Sequence, residues 1–225
     1  APASPPAPGF ADPGAPTTAP GAPRRFIARH GDDFRCASGI WHQWDGSRWD
    51  EDALGAVYHA IAVVARSVAD AAGGDEIAAK AARKQESSSR IEGAAKVASR
   101  DPRIAVSLGD FDRPPHLLAF RNAVVDLRTG TAMSPRRDHM LTARVPHDFD
   151  PSARAPRWER FVAEIMDGRR ELVDFLRRWI GYSITGDVSE QVLLLALGHG
   201  SNGKGTLVEV LMHAIGRPLA DAAPE

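Results

Sequence analysis

The 225-residue chain is poor in several of the residues that announce a function. Its one cysteine, Cys36, excludes an internal disulfide. The eight histidines never stand as His-x3-His beside a Cys-x2-Cys, which argues against a structural zinc site. There is no run of about eighteen apolar residues, and no apolar stretch after a basic start at the N-terminus. Neither a membrane span nor a secretory signal is legible, so the expected location is the cytoplasm. The 28 basic and 29 acidic side chains nearly cancel, leaving a net charge of −1. A global attraction to nucleic acid is thereby excluded, and any such contact needs a local patch.

With 43% hydrophobic and 25% charged residues, the chain has the composition of a soluble globular protein and the length for one sizeable core or two small ones. Proline is unevenly spread. Residues 1 to 25 hold eight of the seventeen prolines among Ala, Gly, Ser and Thr, too little apolar surface to offset the entropy of ordering. Residues 1–30 are read as a disordered Pro/Ala-rich arm, either a tether to an upstream domain or a frayed terminus.

Trp41 and Trp44 precede an Asp45-Gly46 turn and Trp49 follows it, which predicts a hairpin. The indoles supply bulk to a small core, or else stack on bases of a single strand beside Arg48. Leu54, Val57, Tyr58, Ile61, Ala65, Val68 and Ala72 repeat at spacings of three and four, predicting a helix ended by Gly73-Gly74. A second helical tract, Asp75 to Ser99, carries Lys80, Arg83, Lys84, Arg90 and Lys96. It is either a solvated face or a nucleic-acid contact. Asn122 to Leu127, a turn at Thr129-Gly130 and a return through Met133 predict a second hairpin. The triplets Asp110 to Asp112 and Asp148 to Asp150 are each closely followed by proline. That puts them in turns rather than on a rigid strand presenting paired carboxylates to Mg²⁺.

Two amphipathic helices are expected next. One carries Trp158, Phe161, Val162, Ile165 and Met166; the other carries Leu172, Val173, Phe175, Leu176, Trp179 and Ile180. Asp167-Gly168 separates them, Gly181 ends the second, and a turn near Gly186-Asp187 leads onward. Then comes the most specific pattern in the chain: an apolar run through Leu197, a glycine-rich turn, and an amphipathic run from Leu207. This is the outline of a phosphate-binding loop between a strand and a helix. Gly198, Gly200, Gly203 and Gly205 are expected to adopt positive φ and turn backbone N–H groups, with those of Ser201 and Asn202, toward nucleotide phosphates. Lys204 adds a point charge. Thr206 is the nearest hydroxyl for Mg²⁺, although Gly205 stands where such loops usually carry Ser or Thr.

Taken in order, these segments resemble the primase-helicases of phages and plasmids. Their C-terminal half joins a poxvirus-type accessory domain to a superfamily 3 helicase of the AAA+ class. The resemblance is carried by Trp44 to Trp49, Asn122 to Gly130, and Asp148 to Pro151 with Pro156-Arg157-Trp158. It continues through Glu171 to Leu176, Gly181 to Gly186 and Ser189-Glu190-Gln191, and ends in Asn202-Gly203-Lys204. It implies an α+β accessory domain at 31–155, a helical bridge at 156–188, and at 189–225 the first strand, P-loop and helix of an α/β P-loop domain. It also implies a replicative DNA helicase that binds ATP with Mg²⁺ and forms a hexameric ring on single-stranded DNA, beside an upstream primase domain or protein. By that reading Lys204 is the catalytic lysine and Thr206 supports the metal. With 19 residues after Thr206, the expectation is a truncated product without ATPase activity of its own, lacking the later acidic pair, sensor and arginine finger.

A different class of reading is a non-enzymatic single-stranded-DNA-binding or docking module with a remnant P-loop. A third takes Gly203 to Thr206 as resembling nucleotide monophosphate kinases, but those place the loop near the start of the domain that follows it.

Overall fold

A computed structural model describes residues 21–71, 80, 86–197, 200 and 202–216. The first element is already a correction to the expected arm, because Ala22–His30 is a helix (α1). Pro23 sits in its first turn, where a missing N–H costs nothing. Phe26 and Ile27 are buried in the main core, so two large apolar side chains outweigh the proline-rich neighbourhood. Residues 1–20 of the arm lie outside the described residues.

The expected tryptophan hairpin is part of a four-stranded sheet. Its strands are β1 (Phe34–Ala37), β2 (Ile40–Trp44), β3 (Trp49–Glu51) and β4 (Ala105–Val106), in the order β3-β2-β1-β4. β1 and β4 run parallel and the other pairs antiparallel. Ser38 and Gly39, both at positive φ, make the two-residue turn from β1 to β2. In the β2–β3 turn, Asp45 Oδ1 accepts from the Ser47 amide, the Ser47 hydroxyl and the Arg48 amide. Asp45 Oδ2 takes Arg144 Nη1 at 2.9 Å. Burial opposes the Asp45 charge, but the Arg48 and Ser47 hydrogen bonds together with Arg144 outweigh it and hold the carboxyl below its ordinary range.

Helices α2 (Ala56–Ala71) and α3 (Ser88–Ala98) pack with α1 on this sheet. Asp52 starts α2 by accepting the Ala56 and Val57 amides on its two oxygens. Val57, Ile61, Val64 and Ala65 form the inner face. Leu54 is not on that face: it precedes the helix and is fully exposed. α3 approaches through the small side chains of Ala94, Ala95 and Ala98, which is why the tract needs few large apolar residues. The expected helix stop at Gly73-Gly74 lies outside the described residues, as do Arg83 and Lys84.

The second hairpin is a three-stranded meander: β5 (Leu117–Ala119), β6 (Val124–Asp126) and β7 (Thr131–Met133). β5 is an addition to the expected hairpin, lying before the Asn122 to Met133 stretch that predicts it. Arg128 grips Asp126 through its side chain and amide, holding that carboxyl at about 2. Neither Asp-Phe-Asp triplet lies on a strand: Asp110 closes a 3-10 helix, Phe111 and Asp112 are in a turn, and residues 148–150 are irregular. Asp110 bonds the Ser107 amide, Asp112 the Thr142 amide, Asp148 pairs with Arg121, and Asp150 bonds Ser152.

The helical bridge is a hairpin of α4 (Pro156–Ile165) and α5 (Arg170–Ser183), turned by Asp167 and Gly168 at positive φ. Gly181 does not end α5. It stays helical, and the chain leaves at Ile184, whose amide still reaches Ile180 O.

The Asp45 clasp is testable. Its folded carboxyl titrates below the ordinary 3.8, so the stabilisation is complete above that value and fades as pH falls through the lower folded value. Asp45→Asn is expected to cost about 1–2 kcal/mol at neutral pH, a figure already discounted for partial exposure. In urea unfolding, the gap between wild type and variant should narrow toward about pH 3. A gap independent of pH would remove the ionised clasp.

Candidate phosphate-binding loop

The last described helix, α6 (Lys204–Ile215), begins at the expected lysine. Gly203 is its N-cap with φ 81°, and Gly200 has φ 93°. The first intrahelical bond of the cap runs from the Leu207 amide to Gly203 O at 2.9 Å, so the amides of Gly205 and Thr206 face out of the helix start. Lys204 Nζ donates to Asn202 Oδ1 at 2.8 Å, which folds the ammonium back over the turn. The Thr206 side chain is exposed in the same first turn. Two positive-φ glycines, a helix N-terminus and an ammonium therefore converge, the arrangement that receives a phosphate.

Three details depart from expectation. Gly205 is helical, within α6, and has no positive φ. Residues 191–197 form no strand, and Leu193, Leu195 and Leu197 are 82%, 72% and 89% exposed. The physical reason is that a parallel strand needs hydrogen-bonding neighbours and cover on both faces, and no strand pairs with this segment among the described residues. Gly198 and Ser201 lie outside the described residues.

Packing that the sequence did not disclose holds the loop in place. A Cβ on Gly203 would stand 2.6 Å from Ile165 Cγ2 and 3.2 Å from the Phe161 ring, so the cap is pressed onto α4. Leu207 and Leu211 of α6 join Val162 of α4 and Leu176 of α5 in one apolar cluster. At the other end, a Cβ on Gly216 would meet Pro146 Cδ at 2.9 Å. His147 Nε2 lies 3.3 Å from His213 O, a contact it can make as a donor to the open carbonyl end of the helix. The apolar spacing of α4 signals Phe161 and Ile165 as a buried face but not their partner. For His147 there is no local signal.

The tryptophans serve cores. Trp41 and Trp49 are buried and Trp44 packs against the Trp49 cluster, so Trp41 and Trp49 offer no face to a base. Arg48 is taken up by Asp50 and the Thr142 carbonyl. Lys80, Arg90 and Lys96 are exposed. Among the described residues no group of three or more His, Cys, Asp or Glu side chains is placed to hold a metal ion. Nor is any described helix long and apolar enough to cross a membrane.

The two glycines flanking Lys204 should respond oppositely to alanine. Gly203→Ala meets both a positive φ and α4, and is expected to loosen α6 by about 1–3 kcal/mol. Gly205→Ala enters a helical position with nothing within 4 Å and should be neutral or stabilising, by at most about 1 kcal/mol. Amide hydrogen exchange across α6 reads both, and equal protection in the two variants would remove the proposed contact with α4.

No curated protein matches the chain. The family model described as D5 N terminal like matches residues 24–167, which is more than half of the chain. The match runs from within α1, through both sheets, to the turn after α4. The unit on which the turn before α6 rests is thus a known one, and the chain belongs to the D5 N terminal like family and with it to the primase-helicases of phages and plasmids.

Proposed function

We propose that this chain is part of a replicative DNA helicase, carrying its accessory domain and the phosphate-binding start of its superfamily 3 ATPase domain. One observation carries the reading: Gly200 and Gly203 at positive φ lead into Lys204 at the head of a 12-residue helix, one helix (α5) beyond the accessory unit. ATP with Mg²⁺ is the ligand. Its triphosphate fits the loop because the first-turn amides and the Lys204 ammonium supply donors and positive charge where phosphate oxygens would lie. Mg²⁺ bound with ATP neutralises charge on the phosphates. Among the described residues of the loop Thr206 offers that ion a hydroxyl, and the rest of its ligands come from elsewhere.

Lys204 and the amides bind and orient the phosphates. Hydrolysis further needs a carboxylate pair, a sensor and an arginine from a neighbouring subunit, and among the described residues no group of three or more His, Cys, Asp or Glu side chains is placed to hold a metal ion. A ring of six copies on single-stranded DNA, working with a primase domain or protein, belongs to the same proposal. The non-enzymatic reading would draw on Trp41, Trp44 or the Lys80 to Lys96 tract; of these Trp41 is buried, Trp44 is half-buried, and Lys80 and Lys96 are exposed.

Titration of the 225-residue chain with a fluorescent ATP analogue is the test. Binding is expected in the wild type and at least about tenfold weaker in Lys204→Ala, the loss of one charge-assisted contact. ATP turnover should not exceed that of Lys204→Ala. Equal binding by both proteins would refute the phosphate loop, and Lys204-dependent turnover would refute the need for further catalytic groups.

A further inference from the structure

Arginines in this protein are used in two ways. From Arg103 to Arg144, every arginine has a carboxylate partner: Asp101, Asp110, Asp148, Asp126, Asp138, Asp33 and Asp45 in turn. In the α4–α5 hairpin the habit stops. All seven arginines from Arg154 to Arg178 are exposed, and among the described residues only Arg177 lies within reach of a carboxylate, Asp174 at 3.5 Å. Guanidinium forks without partners, beside acidic residues they do not pair with, are available to an external anion.

Their spacing on α5 gives the anion a shape. Val173, Leu176 and Ile180 turn toward α4 and α6. Away from that face, Arg170, Arg177 and Arg178 stand at i, i+7 and i+8, which makes one stripe. A second stripe, Phe175, Trp179 and Tyr182, stands at i, i+4 and i+7. Phe175 is 46% exposed, and Trp179 and Tyr182 are half-buried with ring centroids 6.4 Å apart. Arg178 borders both stripes, being three residues after Phe175 and four before Tyr182. A row of cations beside a row of rings matches a polymer with phosphates on one side and unpaired bases on the other.

We propose that the solvent face of α5 contacts single-stranded nucleic acid, with Arg170, Arg177 and Arg178 on the phosphates and Phe175, Trp179 and Tyr182 stacking bases. The proposal rests on the helicase reading for the single-stranded form of the polymer, and on the two stripes for its place. Neither Trp41 nor the Lys80 to Lys96 tract is part of it. The face lies on the same helix hairpin that supports Gly203, so polymer and phosphate sites share one platform.

The experiment is fluorescence anisotropy of a labelled oligo-deoxythymidine with the full chain across a salt series. The triple variant Arg170→Gln, Arg177→Gln, Arg178→Gln should lower the slope of log K against log salt by about 2, and the corresponding triple Lys variant should retain the slope. Phe175→Ala should weaken binding by roughly tenfold with the slope unchanged. Circular dichroism melts identical to wild type establish that the folds are intact. A Gln triple variant with an unaltered slope overturns the proposal, as does displacement of the oligonucleotide by polyglutamate as readily as by unlabelled DNA, which would assign the face to an acidic protein. Lys204→Ala should bind the oligonucleotide normally. If the ATP analogue fails to bind while this response persists, the ATP site falls and the α5 surface stands.

Discussion

Trp49 is held at both of its donors by a segment that forms no strand and only one turn of 3-10 helix, Arg137–His139. Its backbone amide reaches Leu141 O at 2.8 Å, and its indole Nε1 reaches Arg137 O at 2.9 Å. Arg35 lies over its ring at 4.7 Å, and the side chain is wholly buried. A buried indole N–H loses more from an unmade hydrogen bond than it gains from a made one, so the segment 137–145 has little freedom to leave. The same segment supplies Thr142 O to Arg48 and the Arg144 guanidinium to Asp45, and it sends the Val145 amide to Ala119 O on β5. It is therefore the strap between the four-stranded sheet and the meander. Without it the two sheets share few contacts.

The strap continues into Pro146 and His147, which meet the far end of α6. The near end of α6 rests on α4 through Gly203. A helix so pinned carries its N-terminal amides to one place, and the position of Lys204 follows from packing more than from the loop's own preferences. This relation explains how the glycine turn before α6 keeps its shape although residues 191–197 form no strand. The turn is held from the side by apolar contact, whereas a strand can be held only by hydrogen bonds from another strand.

Much of this was legible in the residues. The Asp45-Gly46 and Thr129-Gly130 turns, the two helices of the bridge and the helix start at Lys204 follow from local chemistry: side-chain oxygens that bond nearby amides, glycines that accept positive φ, and apolar residues at helical spacing. The errors share a cause. α1 was read as arm because proline and alanine dominate the neighbourhood, yet two buried side chains, Phe26 and Ile27, settle its state. β5 is too short to carry a pattern. Residues 191–197 have the apolar character of a buried strand, but strand formation depends on neighbours that the segment itself does not contain.

The sequence by itself determined where the chain turns, which faces are apolar, and that a lysine follows two adaptable glycines, since each depends on residues within a helical turn of one another. Tertiary structure alone decided that Trp41 and Trp49 are core rather than platform. It also decided that Gly203 is required by Ile165 as well as by its own φ, and that each arginine from Arg103 to Arg144 meets a carboxylate while, among the described residues, Arg177 is the one bridge arginine that does. Those outcomes depend on which surfaces meet across long stretches of chain. Burial and ion pairing are properties of such meetings, and no local pattern encodes them.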